Sequence, residues 1–298
     1  MKFFTTVTLA ATLFAQSTVS LTKWDDWAHG RVALEDVSIR FRYADSGPPL
    51  LLIHGNPQYS LTWQWIGPVL AESFTAIAPD NRGAGYSSIP PDGNYSAAAS
   101  AADLKGVLDF LNITETNVFS HDKGAGMAVV LAIQYPSLMK RLGVSEYVLP
   151  GFGYEAASAP GPYWDLYGNW QLAFFSVPDA ADFFIGRERE MLSWHFYHGS
   201  YSGGLSISEE TLSRYATSIS KPGYLRAMFG PFESRIVADD AKFFTSTIGK
   251  KKLTVPTLAL GGEALMSFLT RPAFENLTET LEVDIVPKAG HWIGESSS

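Results

Sequence analysis

The chain has 298 residues, 46% apolar and 17% charged, which is enough apolar material for one large core and too apolar for a disordered chain. Its formal net charge is −8 and its longest basic run is residues 250–252. That argues against a nucleic-acid or anionic-membrane partner, since both are bound by clustered cations. The absence of cysteine excludes disulfides, thiolate metal sites and a cysteine nucleophile.

Residues 1–20 have the pattern of a secretory signal peptide: Lys2 gives a positive start, residues 3–14 are mostly apolar, and small residues follow at Ala15, Ser17 and Ser20. The apolar stretch is shorter than the roughly 20 residues needed to span a bilayer as a helix. Its Thr and Ser residues fit a buried helix poorly. A secreted protein, cleaved after Ser17 or Ser20, is therefore expected. Sequons at Asn94, Asn112 and Asn276 agree with that route, although such tripeptides also arise by chance.

Beyond the leader, apolar runs alternate with helical patterns. Residues 39–44 read as an antiparallel-type strand, and 50–53, 74–78, 118–120, 142–145, 257–260 and 283–286 as further strands. Between them, residues 101–111 place Leu104, Val107, Leu108 and Leu111 on one helical stripe, and 127–135 form an apolar helix stopped by Pro136. This alternation predicts an α/β fold with a mostly parallel central sheet covered on both faces. From 147 to 240 the strand pattern stops and aromatic residues gather, with helices expected at 164–175, 180–197 and Glu209–Ile219. The expected organisation is a leader (1–20), a first core segment (21–146), an inserted helical cap (147–240) and a second core segment (241–298).

Three segments carry chemistry. Val118-Phe119-Ser120-His121-Asp122-Lys123-Gly124-Ala125-Gly126 runs from strand to helix, and its small residues permit a sharp turn with Asp122 at the apex. A carboxylate there can displace a leaving group from saturated carbon and form an alkyl-enzyme ester. His54-Gly55-Asn56-Pro57 follows a buried strand. The backbone N–H groups of Asn56 and Lys123 are candidates for an oxyanion hole, with His54 structural. His291 follows the last strand, late in chain order, and suits a general base that activates water. The acid that orients it is either Glu146 or Glu263, each after a strand end.

Taken with Trp63, the Asp80-Asn81-Arg82-Gly83-Ala84-Gly85-Tyr86-Ser87 stretch and Gly290-His291, these segments resemble the epoxide hydrolase and haloacid dehalogenase branch of the α/β-hydrolase family. The similarity covers nearly all of the chain after the leader. It implies an α/β-hydrolase core with a helical cap, a small-molecule substrate, and no metal or organic cofactor. Asp122 would be the nucleophile, His291 the base, Asn56 and Lys123 the oxyanion hole, and Trp63 and Trp170 substrate-binding residues. The family's acid stands either where Glu146 stands or where this chain has Leu265, so the resemblance favours Glu146.

The sequence departs from its relatives in several places. The tyrosines with which epoxide hydrolases hold the epoxide oxygen are replaced near Trp170 and near Phe232 or Glu233, leaving Tyr167 or Tyr224 as substitutes. The carboxylate-clamping arginines of fluoroacetate dehalogenases are Lys123 and Gly126 here, and seven residues follow His291 where the family continues into a helix. The leading expectation is epoxide hydrolysis, on an apolar, polyketide-type substrate. A haloacid or haloalkane dehalogenase, or a hydrolase-fold protein that only binds, stands as the alternative.

Overall fold

The computed structural model describes residues 23–44, 47–162, 164–201 and 207–295. The expected leader lies outside them. Among the described residues, eight strands form one sheet: β1 (Ala28–Ala33), β2 (Ser38–Ala44), β3 (Pro49–Ile53), β4 (Thr75–Pro79), β5 (Thr116–His121), β6 (Met139–Ser145), β7 (Thr257–Gly262) and β8 (Leu281–Val286). Their spatial order is β1-β2-β4-β3-β5-β6-β7-β8. β2 is antiparallel to β1 and to β4, and every later neighbour pair is parallel.

All seven strands expected from the sequence are present, most of them longer at one end or both. β1 is the addition. It is an edge strand whose one buried side chain is Val32, so backbone pairing with β2 holds it and no apolar run marks it.

The sheet is covered on both faces, and β3 shows how. Leu51 and Ile53 join the core beneath the helices Ala97–Phe110 and Lys123–Gln134, whereas Leu50 and Leu52 join the opposite core. That second core continues without a break into the insertion, through Phe175, Leu192, Phe196, Leu212, Tyr215 and Met228. The cap is thus packed onto one face of the sheet by the same apolar burial that holds the sheet together.

Between β6 and β7 the described residues are helical: Tyr154–Ser158, Leu166–Phe175, Ala180–Phe184, Glu188–His198, Glu209–Ile219, Tyr224–Phe229 and Ser234–Ser246. Two expectations need correction. The helix expected at 180–197 is two helices, parted at Gly186, whose φ of +77° a longer side chain resists. The cap boundary expected at 240 falls inside the helix Ser234–Ser246, whose buried Phe244 belongs to the sheet's own core.

The Asp80–Ser87 stretch braces loops. Asp80 accepts the backbone N–H groups of Ser60 and Tyr86, and Arg82 forms a two-pronged pair with buried Asp103 at 2.7 and 2.8 Å. It is a positioning element for the loops at the carboxyl edge of the sheet.

Close backbone approach at the start of the helix Lys123–Gln134 gives a direct test. A Cβ on Gly124 would lie 2.5 Å from the His54 carbonyl oxygen and 2.7 Å from that of Ile53, whereas one on Gly126 would meet Tyr147 at an ordinary 3.5 Å. Gly124→Ala should therefore destabilise the protein by ~1–3 kcal/mol in chemical denaturation, by overpacking. Gly126→Ala, inside the helix, should be neutral or gain up to ~1 kcal/mol.

Candidate active site

β5 ends at His121, the helix begins at Lys123, and Asp122 makes the whole turn between them with φ 51° and ψ −132°. A non-glycine residue in this region costs about 1–3 kcal/mol, which the surroundings must offset. They do so through the Asp122 N–H, which donates to the Ser145 carbonyl at 3.0 Å, and through the Asp122 carbonyl, which accepts from the Ala125 N–H at 2.8 Å. The result is a carboxylate raised above the carboxyl edge of the sheet.

The loop after β3 closes over that carboxylate. A Cβ on Gly55 would lie 2.8 Å from Asp122 Cγ, so only glycine lets the loop come so near. The Asn56 N–H then donates to Asp122 Oδ1 at 2.9 Å, and the adjoining Lys123 N–H favours the charge on the same carboxylate. The two amides singled out in the sequence thus converge on Asp122. His54 holds the same loop: its Nε2 accepts the Asn81 N–H at 2.9 Å, which leaves Nδ1 to donate to the Gly55 carbonyl at 2.8 Å.

His291 sits between two carboxylates. Its Nδ1 donates to Glu146 Oε2 at 3.1 Å, and its Nε2 lies 3.6 Å from Asp122 Oδ2. Glu146, itself at φ 54°, keeps its carboxylate buried and accepts the Gly262 N–H on Oε1 at 2.5 Å. Burial alone would drive the proton off His291, but the carboxylates of Asp122 and Glu146 prevail and raise it to about 9. Burial likewise opposes the charge on Asp122, and His291 prevails there too, holding the carboxyl below the usual carboxylate range. Glu263 has a different post. It is exposed, and its Oε2 accepts the Lys288 N–H at 2.7 Å.

A cavity of about 10 Å³ is lined by Asn56, Pro57, Phe175, Met191, His195, Met228 and Phe232. That volume is about one water molecule. A cleft of about 200 Å³ adjoins it, sharing Phe175 and Met191, and contains Trp170, Phe184 and Trp194. Trp170 therefore lies in the outer cleft, against Trp194, and does not line the inner cavity. Trp63 departs further from expectation: it is 1% exposed and packs edge-on to Phe119 at 5.8 Å, as a core residue. The tyrosine substitutes are also elsewhere. Tyr167 is 71% exposed, and the Tyr224 hydroxyl donates to the Ser87 carbonyl. Clefts of about 480 and 500 Å³ lie on the cap surface beside Arg189 and Glu190, away from Asp122.

Met191, His195 and Met228 carried no motif. The one sequence signal was the four-residue spacing of Met191 and His195, which puts both on one face of the helix Glu188–His198. Of Phe232 and Glu233, near which the resemblance locates a family tyrosine, Phe232 lines the cavity.

The chain belongs to the α/β-hydrolase fold family, which matches residues 48–295. It is a hydrolase of the epoxide hydrolase branch. It is 30% identical over 272 residues to the soluble epoxide hydrolase of Corynebacterium sp. (strain C12), an alignment covering 90% of this chain and 92% of that one. Among solved structures, Cfl2 from Burkholderia cenocepacia superposes with a TM-score of 0.83 at 27% identity, covering 90% of this chain and 91% of that one. The epoxide hydrolase CorEH superposes with a TM-score of 0.78 at 27% identity, covering 91% and 94%.

The charge arrangement fixes a pH dependence. His291 rises from 6.5 to about 9 in the folded protein, so folding binds its proton more tightly. The stabilisation this brings is complete below pH 6.5 and is lost as pH rises through about 9. Nuclear magnetic resonance of the His291 ring should show a midpoint near 9. Glu146→Gln should lower that midpoint and reduce the loss of thermal stability across the same interval.

Proposed function

We propose that the protein hydrolyses an apolar epoxide through an ester formed on Asp122. The observation that carries this proposal is the different situation of the two Asp122 oxygens: Oδ1 takes the Asn56 amide, while Oδ2 faces His291 at 3.6 Å. Oδ2 attacks an epoxide carbon, the carbon–oxygen bond breaks, and the electron pair stays on the ring oxygen. His291, charged below about pH 9, supplies the proton that oxygen takes up.

Alkylation removes the negative charge that held the imidazolium, and the neutral ring that remains is a base. It takes a proton from water, whose oxygen adds to the ester carbonyl. The charge that develops on Oδ1 is met by the Asn56 and Lys123 amides. Collapse releases the diol and restores the Asp122 carboxylate and the His291 imidazolium. Glu146 keeps the ring oriented throughout.

The cavity lining supports a neutral substrate over a haloacid. It offers no cation for a carboxylate. The Lys123 ammonium donates to the Tyr154 hydroxyl at 3.0 Å and is boxed by the rings of Tyr154 and Phe232, at 4.2 and 4.6 Å. The aromatic outer cleft is compatible with an apolar substrate, of which a polyketide-type epoxide is the class the family resemblance implies. A protein that only bound ligands would gain nothing from a strained elbow facing a charged histidine. The leader-like start supports a secreted enzyme. N-terminal sequencing of secreted protein should begin near Thr18 or Leu21, and an intact Met1 on cytosolic protein would count against secretion.

A single turnover in heavy-oxygen water tests the mechanism. The label should enter the peptide containing Asp122, leaving the first diol unlabelled at the opened carbon. His291→Gln should form the ester more slowly, fail to hydrolyse it, and so accumulate the adduct, whereas Asp122→Ala should form none. Glu146→Gln should slow turnover by on the order of 10²-fold, and Glu263→Gln far less. Label passing directly into product with Asp122 unlabelled would mean direct water attack, and halide release from a haloalkane without epoxide turnover would favour a dehalogenase.

A further inference from the structure

His195 stands one helical turn after Met191 on the helix Glu188–His198, and both line the cavity with Asn56, Phe175, Met228 and Phe232. Its ring lies 5.9 Å from that of Phe175 and 5.2 Å from that of Trp292, and its Nδ1 is buried without a hydrogen-bond partner. A buried polar atom left unpaired in a mostly apolar wall calls for an explanation.

The other polar side chain of that wall is committed. Asn56 donates its side-chain N–H to the Met228 carbonyl at 2.8 Å. Of the nearby tyrosines, Tyr215 donates to Glu295 and Tyr224 to the Ser87 carbonyl, while the Tyr154 hydroxyl accepts from the Lys123 ammonium. None of these tyrosines lines the cavity.

The helix that carries His195 is also fixed against the loop that carries His291. The His291 N–H donates to the Gly199 carbonyl at 2.7 Å, and Trp292 Nε1 donates to the Phe196 carbonyl at 3.1 Å. A Cβ on Gly290 would collide with that same Gly199 carbonyl, so the approach is close along the whole contact. The helix that carries His195 is therefore held to the His291 loop by close backbone contact.

We propose that His195 is the hydrogen-bond donor to the ring oxygen that leaves carbon when Asp122 attacks, the task for which this cavity has no tyrosine. The assignment rests on the ester mechanism above. As the bond from Asp122 Oδ2 to carbon forms and the carbon–oxygen bond breaks, the electron pair stays on oxygen and the Nδ1–H of His195 donates to it. The proton that oxygen keeps comes from His291, so His195 ends the step as it began. Burial, aided by the charge on His291, pushes His195 down to about 3. At neutral pH it is an uncharged ring with one N–H, able to stabilise a developing oxyanion without setting a second cation beside His291.

The test uses His195→Phe and His195→Gln, each in the full-length protein and in its His291→Gln form, with styrene oxide as the probe. In the His291→Gln form, mass spectrometry follows the adduct on Asp122. His195→Phe should slow its appearance about 10²-fold, the effect of losing one oxyanion donor. His195→Gln keeps an N–H and should recover at least about tenfold of that loss. In the form that retains His291, hydrolysis of the ester once formed should proceed at the unaltered rate. Equal adduct rates with and without His195 would overturn the assignment and leave the ester mechanism standing. So would equal slowing by Phe and Gln, which would mark His195 as packing alone. If the protein that keeps both His195 and His291 turns over styrene oxide without an ester or an oxygen label on Asp122, the ester mechanism itself is wrong and the assignment falls with it.

Discussion

A carboxylate sunk into a protein can act as a nucleophile only if it stays charged while one oxygen remains free to attack. Water normally stabilises such a charge, and burial removes it. Here the charge on Asp122 is held by His291 and by two backbone amides. The rest of the site follows from that requirement. The amides reach Asp122 only because Gly55 lets one loop pass close and because Asp122 accepts a positive φ. His291 stays charged because it stands between that carboxylate and a second one, Glu146. The arrangement is a buried alternation of minus, plus and minus, stable as a set and unstable if any one charge is removed.

Much of this was legible in the chain. The parallel strands are continuous apolar runs because both faces of the sheet are covered, and the elbow shows as small residues around an aspartate at a strand-to-helix junction. The choice between Glu146 and Glu263 was not legible from the residues themselves, since both follow strand ends. Sheet order separates them: β6 is the direct neighbour of β5 and β7 lies one strand further out, so Glu146 reaches under His291 while Glu263 turns to its own loop.

Depth was the least legible property. Trp63 and Trp170 occupy positions that a motif can mark, but the packing of neighbouring rings sends one into the core and the other into the outer cleft. His195 has no motif at all. Its significance comes from what surrounds it, and that depends on how a helix from the insertion lands on the sheet.

The backbone bond from His291 to Gly199 bears on how a substrate gets in. A lid that swung away as a rigid body would pull the general base out of place, so opening and catalysis would be mutually exclusive states. Passage by side-chain rotation avoids the conflict. Phe175 and Met191 line both the outer cleft and the inner cavity, and a thioether chain and a phenyl ring can step aside while the backbone stays put. Such an entrance behaves as a turnstile. It sorts molecules by their girth at the narrowest point and leaves their length to extend into the cleft, and its rotor turns on the fast timescale of side chains, not the slow one of domains.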